Sequence, residues 1–178
     1  MSLYFITGNK GKLAEIQAIL GDVEALDIDL PEIQELDAHK IIQAKLAEAQ
    51  KHQSGEFIIE DTSLYLECMN GLPGPLIKWF LKTIGNEGLY KIAESFGNFN
   101  VEAKTIIGYS DSDGKVQFFE GSLKGTIVSP RGEGFGWDAV FQPEGYDKTF
   151  GELSAEEKNT FSMRKIAVEK LKEYLKDK

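Results

Sequence analysis

Along the first sixty residues, the spacing of apolar residues switches between the pattern of a strand and the pattern of a helix. Residues 3–6 form a short apolar run that reaches a glycine-containing turn, and apolar residues then recur at helical spacing from 13 to 20. An alternating segment over 23–30 predicts a second strand, and residues 37–51 predict a second helix. The apolar triplet 57–59 predicts a buried third strand. This order of elements indicates an α/β fold.

The middle of the chain changes to a β-rich pattern. After a weakly alternating stretch over 63–68, two short helices are predicted at 77–84 and 88–96. Two long alternating segments, 101–109 and 116–128, then flank a turn sequence at 111–114, which is typical of an antiparallel hairpin.

The C-terminal region reads as helical. Ser154 with Glu157 fits a capping box, and Ser162 can cap a longer helix that runs toward Lys176. No internal repeat or low-complexity linker marks a second domain, so we expect one domain over residues 1–178. The predicted fold is a mixed β-sheet with flanking helices.

Composition excludes several classes of protein. The chain has 29 acidic and 20 basic residues, a net charge of -9, which argues against binding to nucleic acid through a broad electrostatic footprint. One cysteine and two histidines cannot form a disulfide framework or a typical zinc site, so any metal should be bound by oxygen. No apolar run approaches the ~20 residues of a membrane span, and the N-terminus does not read as a signal peptide. These features predict a cytoplasmic protein without a membrane partner.

The first loop is a candidate phosphate site. Thr7, Gly8 and Asn9 lead through two further residues to Lys12, where a strand is followed by a helix N-terminus. Backbone N–H groups and the helix dipole favour an anion at such a place. The Walker A spacing is absent, and the same residues also suit simple helix capping.

Acidic residues are the candidate metal ligands. Glu60 and Asp61 directly follow the apolar triplet, which predicts that they lie at the carboxyl end of a central strand. Adjacent strand residues point to opposite faces, so the two acids need not share a role. Their oxygen ligands suit Mg²⁺, and Glu32 after Pro31 could add a second carboxylate. For Glu60 and Asp61 the alternative is a turn that caps the end of the strand. For Glu32 the alternative is an ordinary solvated acid in a loop.

Two further segments carry candidate recognition groups. On the last predicted helix Arg164 falls within the apolar arc, where it needs either an internal carboxylate or a ligand. Phe135, Gly136, Trp137 and Asp138 offer aromatic faces for stacking, although aromatic residues beside glycine are also common in β-cores. Lysines such as Lys45 and Lys78 are usually solvated.

Taken together, these segments resemble the inosine triphosphate pyrophosphatase family over nearly the whole chain. The motifs, in the family's order, are Thr7-Gly8-Asn9-x-x-Lys12, Leu30-Pro31-Glu32, Glu60-Asp61-Thr62, Gly71-Leu72-Pro73-Gly74-Pro75, Phe135-Gly136-Trp137-Asp138, Glu157-Lys158-Asn159 and Ser162-x-Arg164. The resemblance implies an elongated α/β fold of two lobes with a central active-site cleft and a homodimer. It also implies Mg²⁺-dependent hydrolysis of non-standard purine nucleoside triphosphates to the monophosphate and pyrophosphate.

The resemblance also assigns residues to roles. Glu32 and Asp61 match the metal-binding acids, and Asp61 matches the general base. The residues that match substrate-binding positions are Thr7, Gly8, Asn9, Lys12, Lys45, Thr62, Lys78, Phe135, Gly136, Trp137, Asp138, Lys158 and Arg164.

One position departs from the family's pattern. The terminal motif is typically Ser-His-Arg, whereas this chain has Met163 between Ser162 and Arg164. A thioether packs well but donates no hydrogen bond, so we expect one polar contact to the purine to be absent. A pyrophosphatase for another modified nucleotide and a catalytically silent nucleotide-binding protein are therefore the alternative functions.

Overall fold

A computed structural model describes residues 2–178 and contains seven strands and six helices within that range. The strands are β1 (Leu3–Ile6), β2 (Glu24–Leu26), β3 (Glu56–Leu66), β4 (Pro73–Gly74), β5 (Asn100–Ser110), β6 (Val116–Ile127) and β7 (Phe141–Pro143). The helices are α1 (Lys10–Leu20), α2 (Ala38–His52), α3 (Ile77–Thr83), α4 (Gly85–Phe96), α5 (Ala155–Asn159) and α6 (Met163–Lys176). Short 3₁₀ turns occupy Glu67–Met69, Asp138–Val140 and Phe150–Glu152.

The strands form one mixed sheet in the order β2-β1-β3-β5-β6-β7, with β4 paired to β3. Strand β1 runs parallel to both β2 and β3, whereas β4 and β7 are antiparallel to their partners. Strands β5 and β6 are neighbours joined by a tight turn, in which the Asp111 N–H donates to the Lys115 carbonyl at 3.1 Å. The predicted α/β fold with a mixed sheet and the predicted hairpin are therefore confirmed.

Two predicted strand boundaries are wrong. Strand β2 covers only three residues, because its neighbour β1 offers three register positions, from Tyr4 opposite Glu24 to Ile6 opposite Leu26. Strand β3 does not end at Ile59 but continues to Leu66. It runs past the end of β1, and its later part gains β4 as a partner, with Leu64 opposite Gly74. Glu60 and Asp61 thus lie within the strand and not at its end.

Side-chain caps mark the starts of two helices. Asp37 caps α2 by accepting a hydrogen bond from the His39 backbone N–H. Ser154 and Glu157 form a reciprocal capping box at α5, as the sequence predicts. Within residues 2–178, none of the helices combines the length and the apolar character that crossing a membrane requires.

The chain divides into two compact units, each built from separate segments of sequence. The first unit comprises the described residues up to Asp61, then Thr105–Gly121 and Arg164–Lys178. The second comprises Thr62–Lys104 and Ser122–Met163.

The core of the first unit lies on both faces of its strands. One cluster packs the strands against α1 and α6, and the other packs them against α2. Consecutive residues of β3 alternate between the two clusters, because neighbouring strand residues point to opposite faces. The first cluster includes Phe5, Ile16, Ile58, Ile107, Val168 and Leu171, and the second includes Ile42, Leu46, Phe57, Ile59 and Ile106.

The core of the second unit is rich in aromatic rings. Trp137 is buried and lies 5.3 Å from Phe141 and 6.2 Å from Phe150 between ring centroids. These rings pack with apolar residues of β3, α4 and β5 in a single cluster, which also contains Met163. The cluster fixes the loop that precedes β7.

Candidate active site

The loop after β1 is ordered by two short-range hydrogen bonds. The Asn9 backbone N–H donates to Thr7 Oγ1 at 3.0 Å, and Asn9 Oδ1 accepts from the Lys12 backbone N–H at 3.1 Å. Asn9 therefore caps α1, which is one of the two functions that the sequence allows. Gly8, Lys10 and Gly11 around this cap are exposed. The start of α1 thus stays accessible to an anion, and phosphate binding remains a prediction.

A buried carboxylate on β3 collects two cations. The Glu60 side chain is 1% exposed, and its Oε1 lies 3.0 Å from Lys12 Nζ. Arg164 donates to Glu60 through Nε at 2.7 Å and through Nη2 at 3.0 Å. The Arg164 Nη1 group donates to Glu15 on α1. The buried arginine therefore meets internal carboxylates, as one of the two sequence alternatives has it.

The charge states of this cluster follow from its contacts. Burial alone would raise the pKa of Glu60, but the Lys12 ammonium and the Arg164 guanidinium outweigh it and hold that pKa far below its usual range. Burial would lower the pKa of Arg164, and the charges of Glu60 and Glu15 more than offset this and raise it. Glu60 is therefore ionised and Arg164 protonated at neutral pH.

Asp61 belongs to the opposite face of β3. Residue 59 packs in the cluster with α2, and the two-residue repeat of a strand places residue 61 on that same side. Helix α2 carries Lys45 on this side of the unit, and Lys45 Nζ lies 2.6 Å from Glu32 Oε1. The Lys45 side chain is only 16% exposed, so it is not the solvated lysine that its position in the sequence suggests.

The donor set of this face suits Mg²⁺. In residues 2–178, no group of three or more histidine, cysteine, aspartate or glutamate side chains is assembled as a metal site. Mg²⁺ does not require one, because it commonly takes one or two carboxylates and completes its shell with waters and substrate phosphates. Glu32 and Asp61 carry carboxylate oxygens of this kind, and their role as Mg²⁺ ligands remains a prediction.

The second unit holds another ion pair. Lys158 Nζ lies 2.7 Å from Asp138 Oδ2, and the two side chains are 16% and 11% exposed. Asp138 Oδ2 also accepts from the Phe135 backbone N–H at 3.2 Å. Gly134 gives the loop room to close on this carboxylate, because a Cβ at this position would lie 2.7 Å from the Asp138 Cβ. Asp138 therefore holds the glycine-rich loop through the Phe135 N–H and α5 through Lys158.

The aromatic residues of this loop divide between core and surface. Trp137 is 6% exposed and packs inside the aromatic cluster, so β-core packing describes it. Phe135 is 74% exposed and presents its ring to solvent. Of the two, the structure offers only Phe135 as an exposed face for stacking.

The remaining predicted residues occupy different surroundings. Thr62 continues β3 and is half-buried. Lys78 is exposed on α3, with its Nζ 5.9 Å from the Trp79 ring centroid. Met163 is 2% exposed and packs in the core of the second unit.

Sequence reasoning missed one member of the buried charge cluster. Glu15 lies three residues after Lys12 on α1, so the two side chains project from the same side of that helix. The spacing is visible in the sequence, but the arginine that Glu15 contacts is 149 residues away. Only the packing of α6 beside α1 in the first unit brings the two charges together.

The second unit also contains an open cavity of about 650 Å³. Tyr65, Glu67, Glu102, Lys124 and Tyr146 are among the residues that line it. None of the predicted site residues is in its lining, so cavity volume does not locate the site.

Comparisons with known proteins agree in family and fold. An inosine triphosphate pyrophosphatase of Schizosaccharomyces pombe is 42% identical over 179 residues, which cover 98% of this chain and 95% of that protein. The enzyme of the same name from Yarrowia lipolytica is 42% identical over 184 residues, covering 100% and 97%. The Ham1 protein of Staphylococcus aureus superposes with a TM-score of 0.84 at 26% identity over 99% of each chain. A HAM1 protein of Coxiella burnetii shares the fold, with a TM-score of 0.86 at 24% identity over the full length of both chains.

The match also extends to the level of the family as a whole. The model of the Ham1 family aligns with residues 3–174, a span that includes both units and all of the predicted site residues. On this match and on the full-length relatives, the chain belongs to the Ham1 family.

Proposed function

We propose that this chain is a Mg²⁺-dependent nucleoside triphosphate pyrophosphatase. Its substrates are the non-standard purine nucleotides ITP, dITP and XTP, and its products are the monophosphate and pyrophosphate. The two full-length relatives at 42% identity carry the name inosine triphosphate pyrophosphatase, which supports this assignment.

The observation that carries the proposal is that two adjacent acids of β3, Glu60 and Asp61, lie in different surroundings. Glu60 faces α1 and α6 and is engaged by two cations, whereas Asp61 belongs to the opposite face of β3, against which α2 packs. Lys45 of α2 pairs with Glu32. A hydrolase for triphosphates needs an ionised carboxylate for water and metal, and separate cations for the phosphates. Two adjacent strand residues supply these separate surroundings.

In the proposed mechanism Asp61 accepts a proton from a water molecule that attacks the α-phosphorus. The bond between the α-phosphorus and the bridging oxygen then breaks, and pyrophosphate leaves. Glu32 and Asp61 would hold Mg²⁺, which neutralises charge on the phosphate oxygens when bound. Lys12 and the N-terminus of α1 hold the phosphate tail.

Local charge must overcome the charge of the whole protein. A net charge of -9 repels a triphosphate at long range, but the screening length at physiological salt is only about 8 Å. In the proposal, Lys12, Lys45 and the divalent cation supply the positive charge within that distance. We expect turnover to depend absolutely on the divalent cation.

Base selection is assigned to hydrogen-bond donors. Arg164 and Lys158 would donate hydrogen bonds to a carbonyl at position 6 of the purine. The amino group of ATP at that position would instead face another donor. A buried polar group left unpaired costs about 1–3 kcal/mol, so such a mismatch discriminates strongly. Phe135 is the residue proposed to stack on the base.

The proposal also includes a homodimer in the cytoplasm that takes a small-molecule substrate and no nucleic acid. Light scattering on the purified protein measures the dimer directly. A mass of one chain would remove that part of the proposal and leave the chemistry untouched.

A nucleotide panel tests the function. Purified protein is incubated with ITP, XTP, dITP, ATP and dTTP, with Mg²⁺ or with a chelator, and both pyrophosphate and orthophosphate are measured. We expect pyrophosphate from the first three nucleotides and little from ATP or dTTP. Orthophosphate as the product would place cleavage at another bond, and preference for dTTP would favour a modified pyrimidine. Binding without turnover would indicate a silent nucleotide-binding protein.

A further inference from the structure

Glu60 is the meeting point of two cations that lie far apart in sequence. Its Oε1 receives both Lys12 Nζ at 3.0 Å and Arg164 Nη2 at 3.0 Å. Its Oε2 receives Arg164 Nε at 2.7 Å, which makes the arginine contact bidentate. Lys12 belongs to the first turn of α1 and Arg164 to the first turn of α6, 104 residues beyond Glu60.

A gain in stability is a weak explanation for this arrangement. Apolar residues of similar volume often replace a buried ion cluster without loss of stability, because desolvation offsets the attraction between the charges. What the shared oxygen does provide is geometry, since a single carboxylate atom fixes the distance between an ammonium and a guanidinium. The same carboxylate also neutralises part of the positive charge of Lys12.

We propose that Glu60 is a positioning residue that sets Lys12 and Arg164 relative to each other. The inference rests on the proposed function, in which Lys12 holds phosphate and Arg164 reads the base. Glu60 then couples the two: its negative charge is divided between both cations, and a change at either one alters its hold on the other. The Glu60 carboxylate weakens the attraction of Lys12 for anions, but it holds Lys12 in a defined position relative to Arg164.

The same geometry separates Glu60 from the metal. Its side chain faces α1 and α6 and is engaged there, on the side of β3 opposite to residue 61. Glu60 is therefore neither a Mg²⁺ ligand nor the general base. The dependence of activity on Mg²⁺ concentration should not change when its charge is removed.

The first test compares Glu60→Gln with Glu56→Gln. Glu56 is a matched control, because it lies four residues earlier on the same face of β3 and pairs with Lys178 at 2.8 Å. We expect Glu60→Gln to lower kcat for ITP by at least about tenfold, because misplaced groups lose rate strongly. We expect its ITP to ATP ratio of kcat/KM to fall by about tenfold, while its affinity for inorganic tripolyphosphate stays equal or rises.

The second test does not alter Glu60. Arg164→Met leaves the carboxylate with Lys12 alone, so its full charge opposes anion binding at that lysine. We expect the dissociation constant of inorganic tripolyphosphate to increase by about 3–10-fold, an ordinary range for coupled groups. Circular dichroism and thermal melting establish whether each variant is folded. If Glu60→Gln is not folded, Arg164→Met still tests the coupling.

The outcomes separate the inference from the function on which it rests. If the parent protein releases no pyrophosphate from ITP, the proposed function is wrong. If the parent is active but Glu60→Gln keeps its ITP to ATP ratio within about twofold, the coupling is wrong. An unchanged tripolyphosphate affinity in Arg164→Met also overturns it, and a raised Mg²⁺ requirement in Glu60→Gln would make Glu60 a metal ligand.

Discussion

Removing the charge of Lys158 should destabilise the second unit through the carboxylate that it leaves behind. Lys158→Met keeps the apolar stem but removes the ammonium 2.7 Å from Asp138, whose side chain is only 11% exposed. The carboxylate then keeps the hydrogen bond from the Phe135 N–H at 3.2 Å. Losing one partner of a largely buried pair costs about 2–4 kcal/mol.

Removing the charge of the other partner, Asp138, should reduce the free energy of unfolding by less. In Asp138→Asn the amide oxygen still accepts from the Phe135 N–H, and the flexible Lys158 can turn its ammonium toward water. We expect about 1–2 kcal/mol for this variant, and for the double variant a loss smaller than the sum of the two by about 1–3 kcal/mol. In a chain of this length, the loss in Lys158→Met lowers the melting temperature by about 4–16 °C.

Urea unfolding followed by tryptophan emission measures these energies. Trp137 adjoins Asp138 and is buried, whereas Trp79 is half exposed, so a Trp79→Phe background isolates the signal of the relevant loop. A coupling energy below about 0.5 kcal/mol would mean that water screens the pair, and the reasoning from its burial would be wrong.

Three further changes test other parts of the molecule. Asp61→Asn should keep nucleotide binding but lower kcat by at least about 10²–10⁴-fold, because an amide is no general base; near-normal rates would exclude Asp61 from catalysis. Met163→His should destabilise the fold by about 1–3 kcal/mol in urea unfolding, since the site is 2% exposed among apolar residues, and no loss would show that the imidazole finds a polar partner. Gly108→Ala should cost about 1–3 kcal/mol, because the added Cβ would overlap Ile42 Cγ2, and Ile42→Ala should relieve that clash; an unaffected single variant would contradict the packing of α2 on β5.

Local patterns in the sequence were sufficient for most of the elements. Helix α2 starts after Asp37 and α5 after Ser154, because a capping side chain bonds to the backbone only two or three residues away. The hairpin of β5 and β6 is likewise determined by its turn over 111–115. The position of the loop after β1 followed for the same reason, since Thr7, Asn9 and Lys12 bond to one another.

Strand ends were harder to predict, because a strand is as long as its partners allow. Nothing within residues 56–66 shows that β3 passes the end of β1 and gains β4 as a partner. The predicted strand therefore ended with the apolar triplet, whereas the real strand continues there with a different neighbour. The burial of Trp137 is a similar case. Its neighbours Phe141 and Phe150 are visible in the sequence, but their convergence on one core is not.

The sequence by itself determined the family and the order of helices and strands, and it predicted which acids and lysines have chemical roles. Tertiary structure decided which of these charges meet. Arg164 could have faced a ligand or a carboxylate, and only the packing of α1 and α6 against β3 placed it between Glu60 and Glu15. Capping and periodicity act within a few residues, whereas an ion pair across 104 or 149 residues exists only after the chain has folded.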